Sequence, residues 1–284
     1  MTQSRIGVVA DSTTDFPSDW PYRDRLHIIP EHIRFHDDVY EEGVDITEAE
    51  FYEKVKKLGI IPKTSQPNPE EFANFYRNLS DRYDELISIH VTSKLSGTFH
   101  SATMGADIVK DEITVHTFDS GGGSAGTGFM ADEALTMIDA GASAHDILKR
   151  LETLQKRIQI FLSPNDLSYP RMSGRISALG AFIASVLHIT PIIILTDGKL
   201  IASERARSRK KAIARMIGLM KERLGDGPIN IALVHAQAPQ DIPPFEKAVR
   251  ESFQPQKFWK TTLSTSVAVH LGPGTIGIVG YRTD

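Results

Sequence analysis

Leu86-Ile87-Ser88-Ile89-His90-Val91-Thr92-Ser93-Lys94-Leu95-Ser96-Gly97-Thr98-Phe99 passes from an apolar run of strand length into a hydroxyl-rich turn that opens a helix. A strand feeding a helix through a short loop is the repeating unit of a largely parallel α/β sheet. The same alternation surrounds it: residues 6–10, 86–89 and 113–118 read as strands, and residues 49–58, 70–82, 98–109 and 128–140 as helices. In such sheets ligands sit outside the carboxyl ends of the strands, where the loops after residues 10 and 89 both fall.

Elementary physics gives that helix start an anion-binding character. The first-turn N–H groups of a helix have no internal partner, and the summed peptide dipoles place roughly half a positive charge there. Ser93, Ser96 and Thr98 add hydroxyl donors, and Gly97 permits close approach of a ligand to the backbone. With a largely neutral donor set, a single carboxylate or a hydroxyl suits the turn better than a polyphosphate, which favours Lys and Arg. The alternative is an ordinary N-cap, which Ser and Thr often supply. Pro62-Lys63-Thr64-Ser65-Gln66-Pro67-Asn68-Pro69-Glu70 repeats the arrangement, hydroxyls before a helix, with the same capping alternative. A third element, His270-Leu271-Gly272-Pro273-Gly274, reads as a turn between two strand-like runs that fixes an imidazole.

From about residue 157 the pattern changes. Residues 158–162, 192–196, 200–203, 229–234, 258–263 and 275–279 read as closely paired strands, Asp197-Gly198 as a hairpin turn, and residues 210–224 and 244–253 as helices. A mixed or antiparallel sheet follows. With 284 residues, two domains are expected, 1–156 and 157–284, joined by a linker near residues 154–157, with a ligand at their interface. The region from Ile176 to Leu195 approaches membrane-spanning length but contains Ser177, Ser185, His188 and Pro191, so a helix followed by a strand explains it better than a span.

The 36 acidic and 32 basic side chains leave a net charge of -4, which gives no general attraction to nucleic acid. Cysteine is absent, so disulfides and thiolate chemistry are excluded. The first residues lack the apolar core of a signal peptide, so the expected location is cytoplasmic, without stable membrane insertion. No metal and no cofactor are expected. His27, His32 and His36 beside Asp37 and Asp38 lack a metal spacing.

Two stretches carry enzymatic patterns. Gly121-Gly122-Gly123-Ser124-Ala125-Gly126 fits both a dinucleotide fingerprint and a serine nucleophile elbow. It lacks an acid at the end of a following strand, and the serine comes late after the strand, so close backbone packing explains the glycines better. Asp11 and Asp119, each ending a strand and followed by serine, read either as paired carboxylates or as loop braces accepting backbone hydrogen bonds. A small-molecule hydrolase using Ser124 or the Asp11 and Asp119 pair is therefore the alternative function. The one dense basic run, Arg205, Arg207, Arg209, Lys210, Lys211 and Arg215, straddles a helix start, where the dipole disfavours cations, and reads as a solvated face or an anionic partner's footprint.

Taken in order, Asp11-Ser12-Thr13-Thr14-Asp15, the Lys63 to Pro67 segment, Ser93 to Thr98, Asp119-Ser120, Gly174-Arg175-Ile176-Ser177 and the His270 to Gly274 turn resemble the DegV family, over nearly the whole chain. The resemblance implies a two-domain α/β, FakB-type subunit, non-catalytic, that binds a long-chain fatty acid. It would present the acid to a separate fatty acid kinase for acyl phosphate formation, within phospholipid metabolism. It further implies a carboxylate held by Thr64, Ser96 and His270, with Ser65 and the Gly97 backbone as neighbours. On the same grounds Arg175, with Arg205, Arg207 and Lys211, is expected to face the kinase. Apolar residues from Ile176 to Ile194, with Phe161 and Leu187, are the expected wall of the acyl tunnel. Tyr169-Pro170-Arg171-Met172-Ser173-Gly174-Arg175 departs from the family pattern, which carries a leucine and a second glycine near the arginine.

Overall fold

The computed structural model describes residues 4–177 and 190–284. Its chain divides into two compact units, Met1–Lys156 and Arg157–Asp284.

The first unit contains β1 (Ile6–Asp11), β2 (Leu26–Ile29), β3 (His32–Phe35), β4 (Asp38–Glu41), α1 (Glu48–Leu58), β5 (Lys63–Ser65), α2 (Pro69–Arg77), β6 (Glu85–His90), α3 (Thr98–Ile108), β7 (Thr114–Asp119), α4 (Ala125–Asp139) and α5 (Ala144–Arg157). Strands β2, β1, β6 and β7 form an all-parallel sheet in that order. The chain returns from β2 past β1 to β6, so the switch in strand order falls between β1 and β6. Their carboxyl ends, Asp11 and His90, flank the place where open α/β sheets bind ligands. A small antiparallel sheet, β4-β3-β5, completes the unit. The segment around His32 to Asp38 reads as strand and turn in the sequence, whereas β5 is too short to show there.

Helices α2 and α3 approach closely because Gly105 lacks a side chain: a Cβ there would lie 2.5 Å from Phe72 Cβ. Phe72, Tyr76, Leu86 and Ala102 are buried in the core so formed. Helix α2 opens with an Asn68–Glu71 capping box, as its sequence entry suggested, and ends at Arg77, earlier than the apolar pattern indicated. The linker expected at residues 154–157 is helix instead. Ile147, Leu151 and Leu154 recur at helical spacing and are buried, which carries α5 through to Arg157.

The second unit contains β8 (Gln159–Ser163), α6 (Ser168–Ser173), β9 (Ile176–Ser177), β10 (Thr190–Thr196), β11 (Lys199–Ala206), α7 (Arg209–Leu224), β12 (Ile229–His235), α8 (Ile242–Ser252), β13 (Lys257–Thr262), α9 (Thr265–Leu271) and β14 (Ile276–Arg282). Its sheet runs β13-β12-β14-β8-β10-β11-β9 and is mixed, with antiparallel pairs along the centre and parallel pairs at both edges. Strands β10 and β11 turn through Asp197 (φ 49°) and Gly198 (φ 76°). Positive φ at both positions is the two-residue hairpin geometry that follows the twist of the strands. Helix α7 buries Ala212, Met216 and Met220 in the core that includes Phe161, Ile192 and Ile194. Of the residues expected to line a tunnel, Ile176, Phe161, Ile192 and Ile194 are buried. Leu187, and most of the Ile176 to Ile194 stretch, lie outside the described residues.

The sequence places His270 in a turn between strands, and the structure differs. His270 belongs to α9, one residue from its end, and the turn follows at Gly272 (φ 84°). Helical spacing of the buried Thr265, Ala268, Val269 and Leu271 gives this short segment its apolar face.

Candidate functional site

In the first unit, the hydroxyl segments after β6 and in β5 are brought together. Helix α3 starts with Gly97 as its N-cap, in helical conformation and with no side-chain cap. Gly97 itself supplies no side-chain cap, and the Ser96 hydroxyl accepts the Thr98 N–H at 3.4 Å. A Cβ on Gly97 would lie 2.9 Å from Gln66 Nε2, so the chain just beyond β5 packs directly on this helix start. Ser96 and Gly97 are part-buried, as are Thr64 and Ser65. Thr64 pairs with Ile33 and Ser65 with His32. Adjacent strand residues project to opposite faces, so a ligand touching the Thr64 side chain meets Ser65 only through its backbone.

Behind Ser96 lies a hydroxyl chain that the sequence did not reveal. Ser96 Oγ stands 2.8 Å from Thr98 Oγ1, which stands 2.6 Å from Glu31 Oε1. Glu31 follows β2 and is 3% exposed. Its backbone N–H donates to Ser12 Oγ, whose own proton goes to Glu42 Oε2 at 2.5 Å. Burial first, then the charge of Asp11, hold the Glu31 carboxyl well above the usual carboxylate range; Thr98 opposes this and Glu42 adds to it.

At the switch between β1 and β6, Asp11 Oδ2 lies 3.0 Å from His90 Nδ1 and accepts the Val91 N–H, while Oδ1 accepts the Thr13 N–H. Burial pushes Asp11 upward, but these partners, His90 foremost, outweigh it and hold the carboxyl below its ordinary value. His90 Nε2 lies 2.6 Å from Ser88 Oγ, and Ser88 lies 2.9 Å from Tyr76 Oη. Ser88, His90 and Asp11 have the connectivity of a hydrolytic triad, yet each is 0% exposed. A nucleophile must reach its substrate, so this chain serves to lock the two central strands.

Asp119 accepts the Ser93 N–H through Oδ2 and the Gly121 N–H through Oδ1. Asp11 and Asp119 thus act as the braces that one reading of the sequence described. The glycine loop is packed closely: a Cβ on Gly121 would meet Gln155 Cγ at 2.9 Å, and Gln155 Nε2 donates to the Asp119 carbonyl. Ser124 adopts φ 54°, is buried, and donates to Asp15 Oδ2 at 2.5 Å. Among the described residues no group of three or more His, Asp or Glu side chains is arranged to hold a metal. His27 meets Tyr83 and His32 meets Glu71, so these two histidines have separate partners.

In the second unit, His270 is part-buried at the end of α9. Burial first, and the Arg175 charge second, push its imidazole down to about 4, so it is neutral near pH 7. The turn behind it is held from two sides. A Cβ on Gly272 would clash with the Tyr169 ring, which places α6 against the turn. Arg209 donates to the carbonyls of Gly274 and Ser163 and pairs with Asp241 at 2.9 Å.

Arg209 and Arg215 are therefore ion-paired members of the basic run, Arg215 being held by Glu204 and Glu222. Arg205, Arg207 and Lys211 are exposed, as is Arg175, whose guanidinium donates to the Ser173 carbonyl. Ser208 caps α7 by accepting the Lys211 N–H.

The family model described as "Uncharacterised protein, DegV family" matches residues 5–283. The protein DegV of Bacillus subtilis is 35% identical over 275 residues, covering 96% of this chain and 98% of that protein. The crystal structure of the Bacillus subtilis DegV, described as a fatty acid binding protein, superposes with a TM-score of 0.88 at 33% identity, over 99% of this chain and 100% of that one. A DegV family protein from Thermus thermophilus, described by its fatty acid binding, gives 0.90 at 30% identity over 98% and 99% of the two chains.

Proposed function

Since the chain belongs to the DegV family, we propose that it binds one long-chain fatty acid and holds the carboxylate with the Thr64 and Ser96 hydroxyls, the Gly97 backbone and His270. The observation that carries this reading is the start of α3, where the N-cap Gly97 has no side chain and Ser96 and Gly97 meet the segment after β5. A carboxylate there replaces water with N–H and O–H donors and meets the positive end of the helix dipole. For a saturated tail of about 14 methylenes, burial at roughly 0.8 kcal/mol each supplies on the order of 11 kcal/mol, against several kcal/mol of association cost. Affinity thus comes from the tail. The head group selects an acid over an alcohol or ester, because donors left facing a neutral ester would lose their charge-assisted partner.

On this reading the chain is a cytoplasmic carrier rather than a catalyst. It presents its fatty acid to a separate kinase, with Arg175, Arg205, Arg207 and Lys211 as the docking face. Support comes from the exposure of these side chains on one unit. The hydrolase alternative has less support, since Ser124 is engaged by Asp15 and the two aspartates hold backbone N–H groups. Detergent-free purification followed by lipid extraction and mass spectrometry tests the choice. About one fatty acid per chain is expected. Lipid-free protein with esterase activity lost in Ser124→Ala would replace the carrier by the hydrolase.

A further inference from the structure

A hydroxyl that binds an anion must point its proton at it. Ser96 Oγ accepts the Thr98 N–H at 3.4 Å and shares a hydrogen bond with Thr98 Oγ1, which in turn shares one with Glu31. Each of these two hydroxyl contacts has one proton, and the direction of the first contact fixes the direction of the second. If Glu31 is a carboxylate, Thr98 donates to it, Ser96 donates to Thr98, and Ser96 offers only a lone pair outward. If Glu31 is a carboxylic acid with its proton on Oε1, the oxygen facing Thr98, it donates to Thr98, Thr98 donates to Ser96, and the Ser96 proton is released toward a ligand.

The surroundings select the second arrangement. The titratable groups facing Glu31 are Asp11 at the end of β1 and Glu42 after β4, with His90 engaged on Asp11. Among the described residues no cation forms an ion pair with Glu31. A buried carboxyl facing two acids, with a hydroxyl as its side-chain partner, retains its proton. We infer that Glu31, as a carboxylic acid, is a positioning residue that sets the direction of the Glu31–Thr98–Ser96 chain and thereby makes Ser96 a donor to the fatty acid carboxylate. The inference rests on the fatty acid reading of the site and adds a buried acid that does not itself touch the ligand.

The test is a double-mutant cycle on the delipidated full chain, with palmitate as the probe. Ser96→Ala should weaken binding about tenfold and Glu31→Ala about fivefold. The double variant should stay near tenfold, because Glu31 acts only through Ser96. A double variant weakened by about the product of the two, or a Glu31→Ala protein that binds as tightly as the wild type, would overturn the inference.

Glu31→Gln supplies a second measurement that does not depend on Glu31→Ala folding. Wild-type affinity should fall as rising pH removes the Glu31 proton, by up to about tenfold in all, the effect of losing the Ser96 donor. Glu31→Gln, whose amide N–H donates to Thr98 without titrating, should lack that slope. An identical slope in both proteins rejects the role of Glu31. Absence of palmitate binding to the wild type at every pH rejects instead the fatty acid reading on which it rests.

Discussion

Gly97 and Gln66 stand so close that a Cβ added to the glycine would lie 2.9 Å from the glutamine amide nitrogen. The backbone of Gly97 has φ −79°, which any residue adopts, so glycine is required there for space and not for conformation. Gln66 is exposed and can swing away. Gly97→Ala is therefore expected to fold with a stability within about 1 kcal/mol of the wild type. The methyl group would still occupy the approach to the helix N-terminus, and palmitate affinity should drop about tenfold or more, for the loss of one charge-assisted donor. Calorimetric titration beside a urea melt checks both halves.

Gly105→Ala gives the opposite result. Its Cβ would meet Phe72 Cβ at 2.5 Å and the Pro69 carbonyl at 2.9 Å, neither of which is a flexible tip. Overpacking at this crossing of α2 and α3 should cost about 1–3 kcal/mol. The loss is expected as a lower urea midpoint without a change in slope.

His270 makes stability depend on pH with a defined sign. Its folded value is about 4, against 6.5 for a free histidine, so the unfolded chain takes up the proton first as pH falls. The contribution is intact above pH 6.5 and is lost progressively toward pH 4. At about 1.4 kcal/mol per unit, the loss amounts to about 3 kcal/mol. A His270→Gln variant should show a shallower decline of stability over that window. Equal slopes in the two proteins would show that the imidazole does not titrate as described. Bound fatty acid should reverse the bias, since a carboxylate beside the ring favours the imidazolium.

Arg209 is the part-buried member of the basic run whose loss should be felt most. Arg209→Met removes donors to the Ser163 and Gly274 carbonyls and leaves Asp241 without its guanidinium partner. Destabilisation of about 2–4 kcal/mol is expected, with weaker palmitate binding because the turn after His270 loses its anchor. An unchanged melt would show that the three contacts are not maintained in solution.

The exposed basic residues predict the converse. Reversing charge at Arg207 and Lys211 should leave stability within about 0.5 kcal/mol and palmitate binding unaltered. Acyl phosphate production by an added fatty acid kinase should fall, more at low salt than at high. Unchanged production would remove this face from the proposed docking.

The sequence alone determined the parts of this protein that depend on near neighbours. Apolar runs such as residues 86–89 fixed most strands of the two larger sheets, and the Asp197-Gly198 pair fixed a hairpin, since side-chain periodicity and turn chemistry act over a few residues. The hydroxyls of Ser96 and Thr98 before a helix were legible for the same reason. Tertiary structure alone decided what stands behind them. Glu31 reaches Thr98 across 67 positions and Asp11 reaches His90 across 79, and both meetings depend on which strands become neighbours in the parallel sheet. A helix in place of the expected linker, and α9 in place of a simple turn, were decided in the same way. Burial of Leu154 and of Leu271 outweighs local preference there, and burial is a property of the folded chain rather than of any short stretch within it.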